Sequence, residues 1–346
     1  MPNRKPFEFA GQTIDGGTRR TVDLPVSTLS DHTPVSLRVH VIHGKKAGPT
    51  VFVSAAVHGD EVMGVEIVRR FLQSDLLNGL RGTLMVVPIV NAFGFHNRSR
   101  YLPDRRDLNR SFPGSSQGSL ASRLAGIFLD QVVKRCDLGI DLHSAAIHRT
   151  NLPQVRVSAG NDRVMALAKV FGAPVILTSG LREGSLRAEA AEAGVDVLLY
   201  EAGEGLRFDE MAARAGVAGI LRVLRSMDML PAKGIAKAKV QPLLCQSSKW
   251  LRAPTGGLLR TYRGDGDVVE EGEVIASVSD PFGEQDVDMV APSDGIIIGR
   301  AVMPVVNEGD AVFHIADVRH DDPAQAVEDI ANQLENSPLF DEDEII

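Results

Sequence analysis

The feature that most constrains the fold of this chain is an alternation of short apolar runs with amphipathic segments. Thr50 to Val57 and Thr83 to Val90 are almost continuously apolar, which is typical of strands covered on both faces. Between them, the spacing of apolar residues from Glu61 to Leu77 predicts a helix. Because the alternation continues to about Met227, we expect an α/β fold in which helices flank both faces of a sheet.

Length and local composition predict two domains and a tail. A chain of 346 residues exceeds one average domain. Helical patterning stops near Pro231, and short strands broken by turns follow it. We therefore expect an α/β domain over 1–235, which begins with strands over about 1–45, and a β-rich, barrel-like domain over 236–320. An acidic tail is expected over 321–346.

Charge and hydropathy argue against several kinds of partner. The net charge is −8, and the chain has no Lys/Arg run of the kind that forms a nucleic-acid-binding surface. No apolar run approaches the roughly 20 residues that span a bilayer. Residues 1–6 lack the apolar core of a signal peptide. We expect a cytoplasmic protein that binds neither nucleic acid nor membrane, and homo-oligomerisation is left open.

Two polar segments at the ends of predicted strands carry possible metal ligands. His58 and Glu61 follow one apolar run, and His143 follows another. Two imidazoles and a carboxylate are a typical ligand set for a catalytic zinc that keeps one position open for water. Alternatively, Asp60 and Glu61 only place negative charge at the start of the following helix. The presence of both segments favours zinc, and Asp60 is left open as an imidazole partner or a helix charge.

A further carboxylate and a long polar loop predict hydrolytic chemistry. Glu201 follows an apolar strand, and a carboxylate beside a metal can take a proton from water and pass it to a leaving nitrogen. The loop over 91–118 is rich in Arg and Asn. Guanidinium groups bind carboxylates through two parallel hydrogen bonds, and near a metal they stabilise an oxyanion. A surface glutamate and a solvated basic loop are the alternatives.

Together these segments resemble the succinylglutamate desuccinylase/aspartoacylase family, which belongs with the zinc carboxypeptidases. The resemblance spans about residues 50 to 205 and implies a zinc carboxypeptidase-like mixed sheet with a catalytic domain over 1–235. The matching strings, in chain order, are His58-Gly-Asp-Glu61, Asn91-Ala-Phe-Gly, Arg100-Tyr101, Asp107-Leu-Asn-Arg110-Ser-Phe-Pro-Gly114, Asp141-Leu-His143 and Glu201.

The resemblance implies a metal site and a base. His58, Glu61 and His143 would bind zinc, one ion per chain. Glu201 would act as general base on the water that the zinc holds. The reaction expected from the resemblance is hydrolysis of the amide bond of a small N-acyl amino acid, which gives a carboxylate and a free amine.

The resemblance also implies how the substrate is held. Arg100 would polarise the scissile carbonyl and stabilise its oxyanion. Asn109 and Arg110 would bind the carboxylate of the amino-acid part. A metallocarboxypeptidase acting on short peptides would use the same residues, so it remains an alternative. A non-catalytic binding or carrier protein is a third interpretation, which the complete set of metal ligands and Glu201 disfavours.

The β-rich segment resembles a biotinyl/lipoyl-type domain. Val287 to Ile298 is similar to the second half of such a barrel, and Asn307 to Asp310 fits its closing turn. The hairpin that would present a modified lysine, Pro281 to Gln285, contains no lysine. We therefore expect no covalently attached biotin or lipoate.

Overall fold

Eighteen strands lie within the part of the chain that the structure describes. This computed structural model describes residues 4–238, 240–318 and 323–335. The strands are β1 (Phe7–Phe9), β2 (Gln12–Ile14), β3 (Thr18–Thr28), β4 (Pro34–His43), β5 (Lys46–Ala55), β6 (Arg81–Val87), β7 (Leu138–His143), β8 (Arg149–Val157), β9 (Val175–Thr178), β10 (Asp196–Glu204), β11 (Leu243–Arg252), β12 (Gly257–Thr261), β13 (Val268–Val269), β14 (Val274–Ser279), β15 (Asp286–Val290), β16 (Gly295–Ala301), β17 (Val305–Val306) and β18 (Ala311–Val318).

Among the described residues, six α-helices lie in the first two thirds of the chain, and a seventh follows the last strand. They are α1 (Met63–Gln73), α2 (Ala92–Asn97), α3 (Leu120–Gln131), α4 (Asp162–Phe171), α5 (Leu186–Glu192), α6 (Glu210–Ser226) and α7 (Pro323–Glu335). Short 3-10 segments lie at Asp75–Gly79, Leu108–Arg110 and Val133–Arg135. The predicted helix over 61–77 is therefore an α-helix followed by a 3-10 turn.

Polar side chains fix where several helices begin. Ser119, Asn161, Ser185 and Asp209 stand immediately before α3, α4, α5 and α6, and each side chain accepts a hydrogen bond from a backbone N–H of the first turn. Such N-caps satisfy donors that have no partner inside the helix. They give each helix a defined start and so fix the length of the loop from the preceding strand.

A mixed sheet of twelve strands forms the centre of the molecule. Its order is β13-β16-β18-β11-β9-β8-β10-β7-β5-β6-β4-β3. In its middle, β6, β5, β7 and β10 are mutually parallel, whereas β8 is antiparallel to β10. The carboxyl ends of the four parallel strands therefore meet at one edge of the sheet, where ligand sites in open α/β sheets lie. The predicted α/β fold with a mixed sheet is confirmed.

The central strands are apolar throughout because both of their faces are covered. Val51, Val53 and Ala55 of β5 belong to the apolar core that also contains buried residues of α1, α4 and α6. The intervening Phe52 points to the opposite core, where its ring packs edge-on against Phe128 of α3, with the ring centroids 5.9 Å apart. Adjacent residues of a strand face opposite sides, so a two-sided core requires a continuous apolar run.

Tight packing between α4 and α6 predicts an unusual response to a glycine substitution. A Cβ atom added at Gly219 would lie 2.2 Å from the ring of Phe171. Ala normally stabilises a helix interior relative to Gly by about 1 kcal/mol, but overpacking costs about 1–3 kcal/mol. We therefore expect Gly219→Ala to lower the free energy of unfolding in urea. The double variant with Phe171→Leu should recover part of the loss, and a stabilised Gly219→Ala protein would contradict this packing.

The strands of the predicted segment 236–320 divide between two sheets. β11, β13, β16 and β18 extend the central sheet, because β11 pairs with β9 and β16 pairs with β8. A four-stranded sheet of order β15-β14-β12-β17 packs on these strands around a separate apolar core. Residues after 235 therefore continue the sheet that carries the site, and the domain boundary there stays a prediction.

The tail is only partly within the described residues. α7 places Ile330 and Leu334 in the core that contains α6, which agrees with a short amphipathic helix inside the tail predicted over 321–346. Residues 319–322 and 336–346 lie outside the described part. Among the described residues, none of the helices has the length and apolar character needed to cross a bilayer.

Candidate metal and active site

Polar residues gather where the parallel strands end. His143 is the last residue of β7, and Glu201, on β10, is paired with it in the parallel register. His58 follows β5 after a short turn in which Ala56 has a φ of 50°. Asn91 follows β6 and caps α2 by accepting a hydrogen bond from the N–H of Gly94. The prediction that these four residues share one edge of the sheet is confirmed.

His58, Glu61 and His143 form a buried cluster at this edge. Their ligand atoms all lie within 4.8 Å of one another. The Glu61 carboxylate stands between the two rings, 2.6 Å from Nδ1 of His58 and 2.6 Å from Nδ1 of His143. The three residues are at most 4% exposed. Two nitrogen donors and one oxygen donor converging in a buried space fit a zinc ion with a fourth position for water or substrate.

Two further carboxylates orient the imidazoles. Nε2 of His143 lies 2.8 Å from Asp141, and Nε2 of His58 lies 3.1 Å from Asp107. Such contacts on the far nitrogen fix the ring so that Nδ1 points to the metal position. Asp60 does not do this, since its buried Oδ1 has no hydrogen-bond partner among the described residues. Asp107 and Asp141 therefore hold the two imidazole rings, and Asp60 does not act as an imidazole partner.

Electrostatics at this cluster favour a cation. Burial opposes a charged imidazole, but Asp141 and Glu61 outweigh it and raise the pKa of His143 well above its usual value. The pKa of Glu61 is lowered, because the neighbouring His58 and His143 outweigh its burial. The carboxylates therefore stabilise positive charge between the rings, which a bound metal ion would supply. A metal that binds there must displace any protons from its ligand atoms.

We expect Asp141→Asn to weaken zinc binding by about 10- to 100-fold, the usual effect of removing a carboxylate that orients a ligating histidine. Asn preserves the size of the side chain but not its charge. Competition with a fluorescent zinc chelator measures the affinity. Asp162→Asn, at the exposed start of α4, is the control. Equal zinc affinity in Asp141→Asn and the unmodified protein would contradict the orienting role.

Arg100 lies directly beside the cluster. Its Nη1 is 3.4 Å from Oε1 of Glu61, and its Nε and Nη2 donate to Oδ2 of Asp107 at 3.2 and 3.0 Å. Asp107 therefore contacts both His58 and Arg100. The pairing orients the guanidinium at the edge of the metal cluster.

Asn109 and Arg110 lie in the short 3-10 segment that follows Asp107. Oδ1 of Asn109 accepts a hydrogen bond of 2.8 Å from the N–H of Leu186, at the start of α5. Arg110 is exposed and donates to the backbone oxygen of Asn109. The loop predicted over 91–118 is therefore anchored by side chains and contains α2 and this 3-10 segment. Both residues line the cavity that contains the metal cluster.

Glu201 also lines this cavity, which encloses about 530 Å³. Nδ2 of Asn151 donates to its Oε2 at 2.9 Å, and Nη1 of Arg156 lies 3.5 Å from its Oε1. The structure thus places in one cavity all the site residues predicted from the sequence, namely His58, Glu61, Arg100, Asn109, Arg110, His143 and Glu201.

Asn151 should position Glu201, and its own position depends on a strand from the C-terminal segment. Asn151 pairs with Gly299 of β16, where an added Cβ would lie 2.6 Å from its Oδ1. We expect Asn151→Ala to lower kcat by about 10- to 100-fold, the range for losing a hydrogen bond to a charged group. The pH dependence of kcat should shift as well. Asn78→Ala, on the surface, is the control, and an unchanged kcat and pH profile would contradict the role.

Several residues that line the cavity could not be recognised from the sequence as parts of a functional site. Asn151, Arg149, Arg156 and Arg187 line the cavity but belong to no motif. Trp250 is 39% exposed and also lines the cavity. Asp141 stands two residues before His143, which is a local signal, whereas Asp107 is distant in sequence from all three candidate ligands.

A metal-ligand cluster, a neighbouring carboxylate and arginines at the carboxyl edge of a mixed sheet define a hydrolase-type site. The family model described as the succinylglutamate desuccinylase/aspartoacylase catalytic domain matches residues 47–227. The chain belongs to the succinylglutamate desuccinylase/aspartoacylase family. Because the match ends at residue 227, the biotinyl/lipoyl-type assignment of 236–320 stays a prediction.

A named relative and two solved structures are consistent with this family assignment. The chain is 28% identical over 319 residues to an N-alpha-acetyl-L-2,4-diaminobutyric acid deacetylase of Halomonas elongata, with 88% of this chain and 92% of the relative covered. A product-bound ectoine utilization protein EutE (DoeB) from Ruegeria pomeroyi has a TM-score of 0.78 at 24% identity, with 86% and 94% of the two chains covered. A succinylglutamate desuccinylase/aspartoacylase from Rhodobacter sphaeroides has a TM-score of 0.77 at 24% identity, with 87% and 96% covered.

Proposed function

We propose that this protein is a zinc-dependent deacylase that hydrolyses the amide bond of a small N-acyl amino acid. The observation that carries the proposal is the shared cavity, which brings the buried cluster of His58, Glu61 and His143 together with Glu201. The similarity to a deacetylase over most of both chains supports an N-acyl amino acid as substrate.

The chain would hold one zinc ion through Nδ1 of His58, Nδ1 of His143 and the carboxylate of Glu61. When bound, zinc polarises a carbonyl and lowers the pKa of water to about 7. Asp107 and Asp141 keep the two rings in the orientation that this requires. The cysteines take no part, since Cys136 and Cys245 are buried away from the cavity.

The remaining residues move the proton and hold the substrate. Glu201 takes a proton from the attacking water, while Asn151 holds its Oε2 and Arg156 lies beside its Oε1. As the C–N bond breaks, the same carboxylic acid delivers that proton to the leaving nitrogen. Arg100 donates to the carbonyl oxygen, on which negative charge develops. The products are a carboxylate and a free amine.

Asn109 and Arg110 would hold the carboxylate of the amino-acid part. The planar guanidinium of Arg110 suits bidentate binding of a carboxylate. The hydrogen bond from the N–H of Leu186 to the side chain of Asn109 keeps the 3-10 segment in place. Because this carboxylate would be bound at a fixed distance from Glu201, the amide bond of the substrate would be oriented for attack by water.

A metallocarboxypeptidase would use the same residues, so substrate preference must separate the two activities. A panel of N-acyl amino acids and dipeptides, assayed for amine release with zinc present, provides the test. We expect N-acyl amino acids to be hydrolysed with kcat/KM values above those of dipeptides. Hydrolysis of dipeptides alone would exclude the deacylase, and binding without hydrolysis would favour a non-catalytic protein. A cytoplasmic location stays a prediction, and homo-oligomerisation stays open.

A further inference from the structure

Five strands close into a small barrel beside the catalytic cavity. They follow one another in the order β16-β18-β11-β9-β8, and β16 also pairs with β8, so the series closes on itself. Apolar side chains from all five strands form one buried cluster, which therefore lies inside the barrel. Because β11, β16 and β18 belong to the C-terminal segment, this five-stranded barrel joins that segment to the strands around the site.

Arg156 and His314 both point into the five-stranded barrel. Arg156 of β8 is paired with Leu177 of β9, and His314 lies two residues before Ala316 on β18. Leu177 and Ala316 belong to the buried cluster inside the barrel. Directly paired residues share one face of a sheet, and so do residues two apart on one strand. Arg156 also lines the catalytic cavity, so these polar residues lie where the barrel adjoins the site.

Three polar atoms in this region are buried without a hydrogen-bond partner among the described residues. They are Nε of Arg156, Nδ1 of His314 and Oε1 of Gln154. Gln154 lies two residues before Arg156 and so on the same face of β8. The guanidinium Nε–H is a donor, whereas the amide oxygen and one nitrogen of a neutral imidazole are acceptors. Buried polar atoms without a partner cost free energy, so a link between this donor and these acceptors would be stabilising.

The imidazole of His314 is suited to accept rather than to donate at Nδ1. Burial, followed by the nearby charge of Arg156, lowers the pKa of His314 to about 3, so the imidazole is neutral near pH 7. Its Nε2 lies 2.8 Å from Oγ of Ser248, and its ring stacks on Trp250 with the ring centroids 4.4 Å apart. When Nε2 carries the proton and donates to Ser248, Nδ1 is an acceptor. The positive charge of Arg156 favours this tautomer.

We propose that His314 is a positioning residue for the catalytic base and that it acts through Arg156. One water molecule accepts a hydrogen bond from Nε of Arg156 and donates to Nδ1 of His314 and to Oε1 of Gln154. Three hydrogen bonds are typical of a buried water. The link holds the guanidinium so that its Nη1 stays beside Oε1 of Glu201, 3.5 Å away. This inference rests on the proposed deacylase function, in which Glu201 is the base.

The C-terminal segment would then support the base by two routes. Gly299 of β16 is paired with Asn151, which donates to Oε2 of Glu201. His314 of β18 would act on the other carboxylate oxygen through Arg156. His314 is only 6% exposed and does not line the cavity, so its effect on the reaction would be indirect.

Two substitutions at His314 separate the acceptor from the packing of the ring. Both His314→Leu and His314→Asn remove the stacking on Trp250, but the asparagine oxygen can replace Nδ1 as an acceptor. We expect His314→Leu to lower kcat of the zinc-loaded protein by about 10-fold, the lower end of the range for a lost hydrogen bond to a charged group. The acidic limb of the kcat profile should move to higher pH, because a less firmly held guanidinium stabilises the Glu201 carboxylate less. His314→Asn should restore most of kcat and the original profile.

A double-mutant cycle tests whether His314 acts through Arg156. Arg156→Met should itself lower kcat, and adding His314→Leu to it should cause little further loss, because the two residues belong to one network. Full additivity of the two losses would overturn the inference. So would equal losses in His314→Leu and His314→Asn, or an unchanged kcat and pH profile in His314→Leu protein that is folded by circular dichroism.

A high-resolution crystal structure of the unmodified protein provides a test that does not depend on activity. It should show a water molecule within hydrogen-bond distance of both Nε of Arg156 and Nδ1 of His314. An active protein without this water would overturn the present inference and leave the deacylase function standing. A zinc-loaded protein that contains the water but hydrolyses no N-acyl amino acid would refute the deacylase function and, with it, the role of His314 in that reaction.

Discussion

Glu201→Gln is expected to lower kcat for amine release by about 10³-fold, within the range of 10²- to 10⁴-fold for general acid–base catalysis. Glutamine has nearly the same shape as glutamate, but its amide cannot accept the proton of the attacking water. It also cannot return a proton to the leaving nitrogen. Proton removal from the water and proton delivery to the leaving nitrogen would therefore both lose their catalytic group.

The Glu201→Gln variant should still bind one zinc ion per chain, because Glu201 does not belong to the buried metal cluster. Its KM should change much less than its kcat. Glu204→Gln is a matched control, since Glu204 lies on the same strand but does not line the cavity. If Glu201→Gln retained full kcat while Glu204→Gln lost it, the base would be misassigned.

His143→Ala is expected to remove both zinc and measurable amine release. The substitution takes away one of three ligands, and it also leaves Asp141 buried and without the imidazole that it contacts. The ligands of a metal site must converge to give high affinity, so two remaining donors should hold zinc weakly. Elemental analysis of the purified variant, together with a rate assay, measures both effects.

The control for the metal site is His96→Ala, which removes an exposed histidine of α2. It should retain one zinc and full activity. A His143→Ala protein that is folded by circular dichroism, still contains one tightly bound zinc and remains active would show that the ion is bound elsewhere.

The central sheet and the metal cluster could be predicted because their signals are local. A strand covered on both faces must be apolar throughout, as in Thr50 to Val57, and a polar residue directly after it marks the edge of the sheet. His58 and Glu61 are only three residues apart, so one turn brings them together. His143 required only the inference that neighbouring parallel strands end at the same edge.

The other parts of the site depend on contacts between distant segments. Asn151 contacts Glu201, 50 residues away, and no periodicity identifies such a pair. Gly299 lies on a strand predicted to belong to a separate β-rich domain, yet that strand pairs with β8 beside the cavity. The short-range pattern of the C-terminal strands specifies that they are strands. It does not specify which sheet they join.

The arginines that line the cavity show the same limit. Arg149 and Arg156 lie on β8, Arg182 lies in a loop and Arg187 lies on α5, and each alone is typical of a solvated surface residue. Only the fold brings them to one cavity.

The most direct test of the central claim is amine release from the panel of N-acyl amino acids before and after zinc is removed with a chelator. We expect hydrolysis by protein that contains one zinc per chain, loss of hydrolysis on chelation, and recovery when one equivalent of zinc is returned. Undiminished hydrolysis by the fully metal-free protein would contradict a zinc-dependent deacylase. So would zinc-loaded protein that hydrolyses none of these amides.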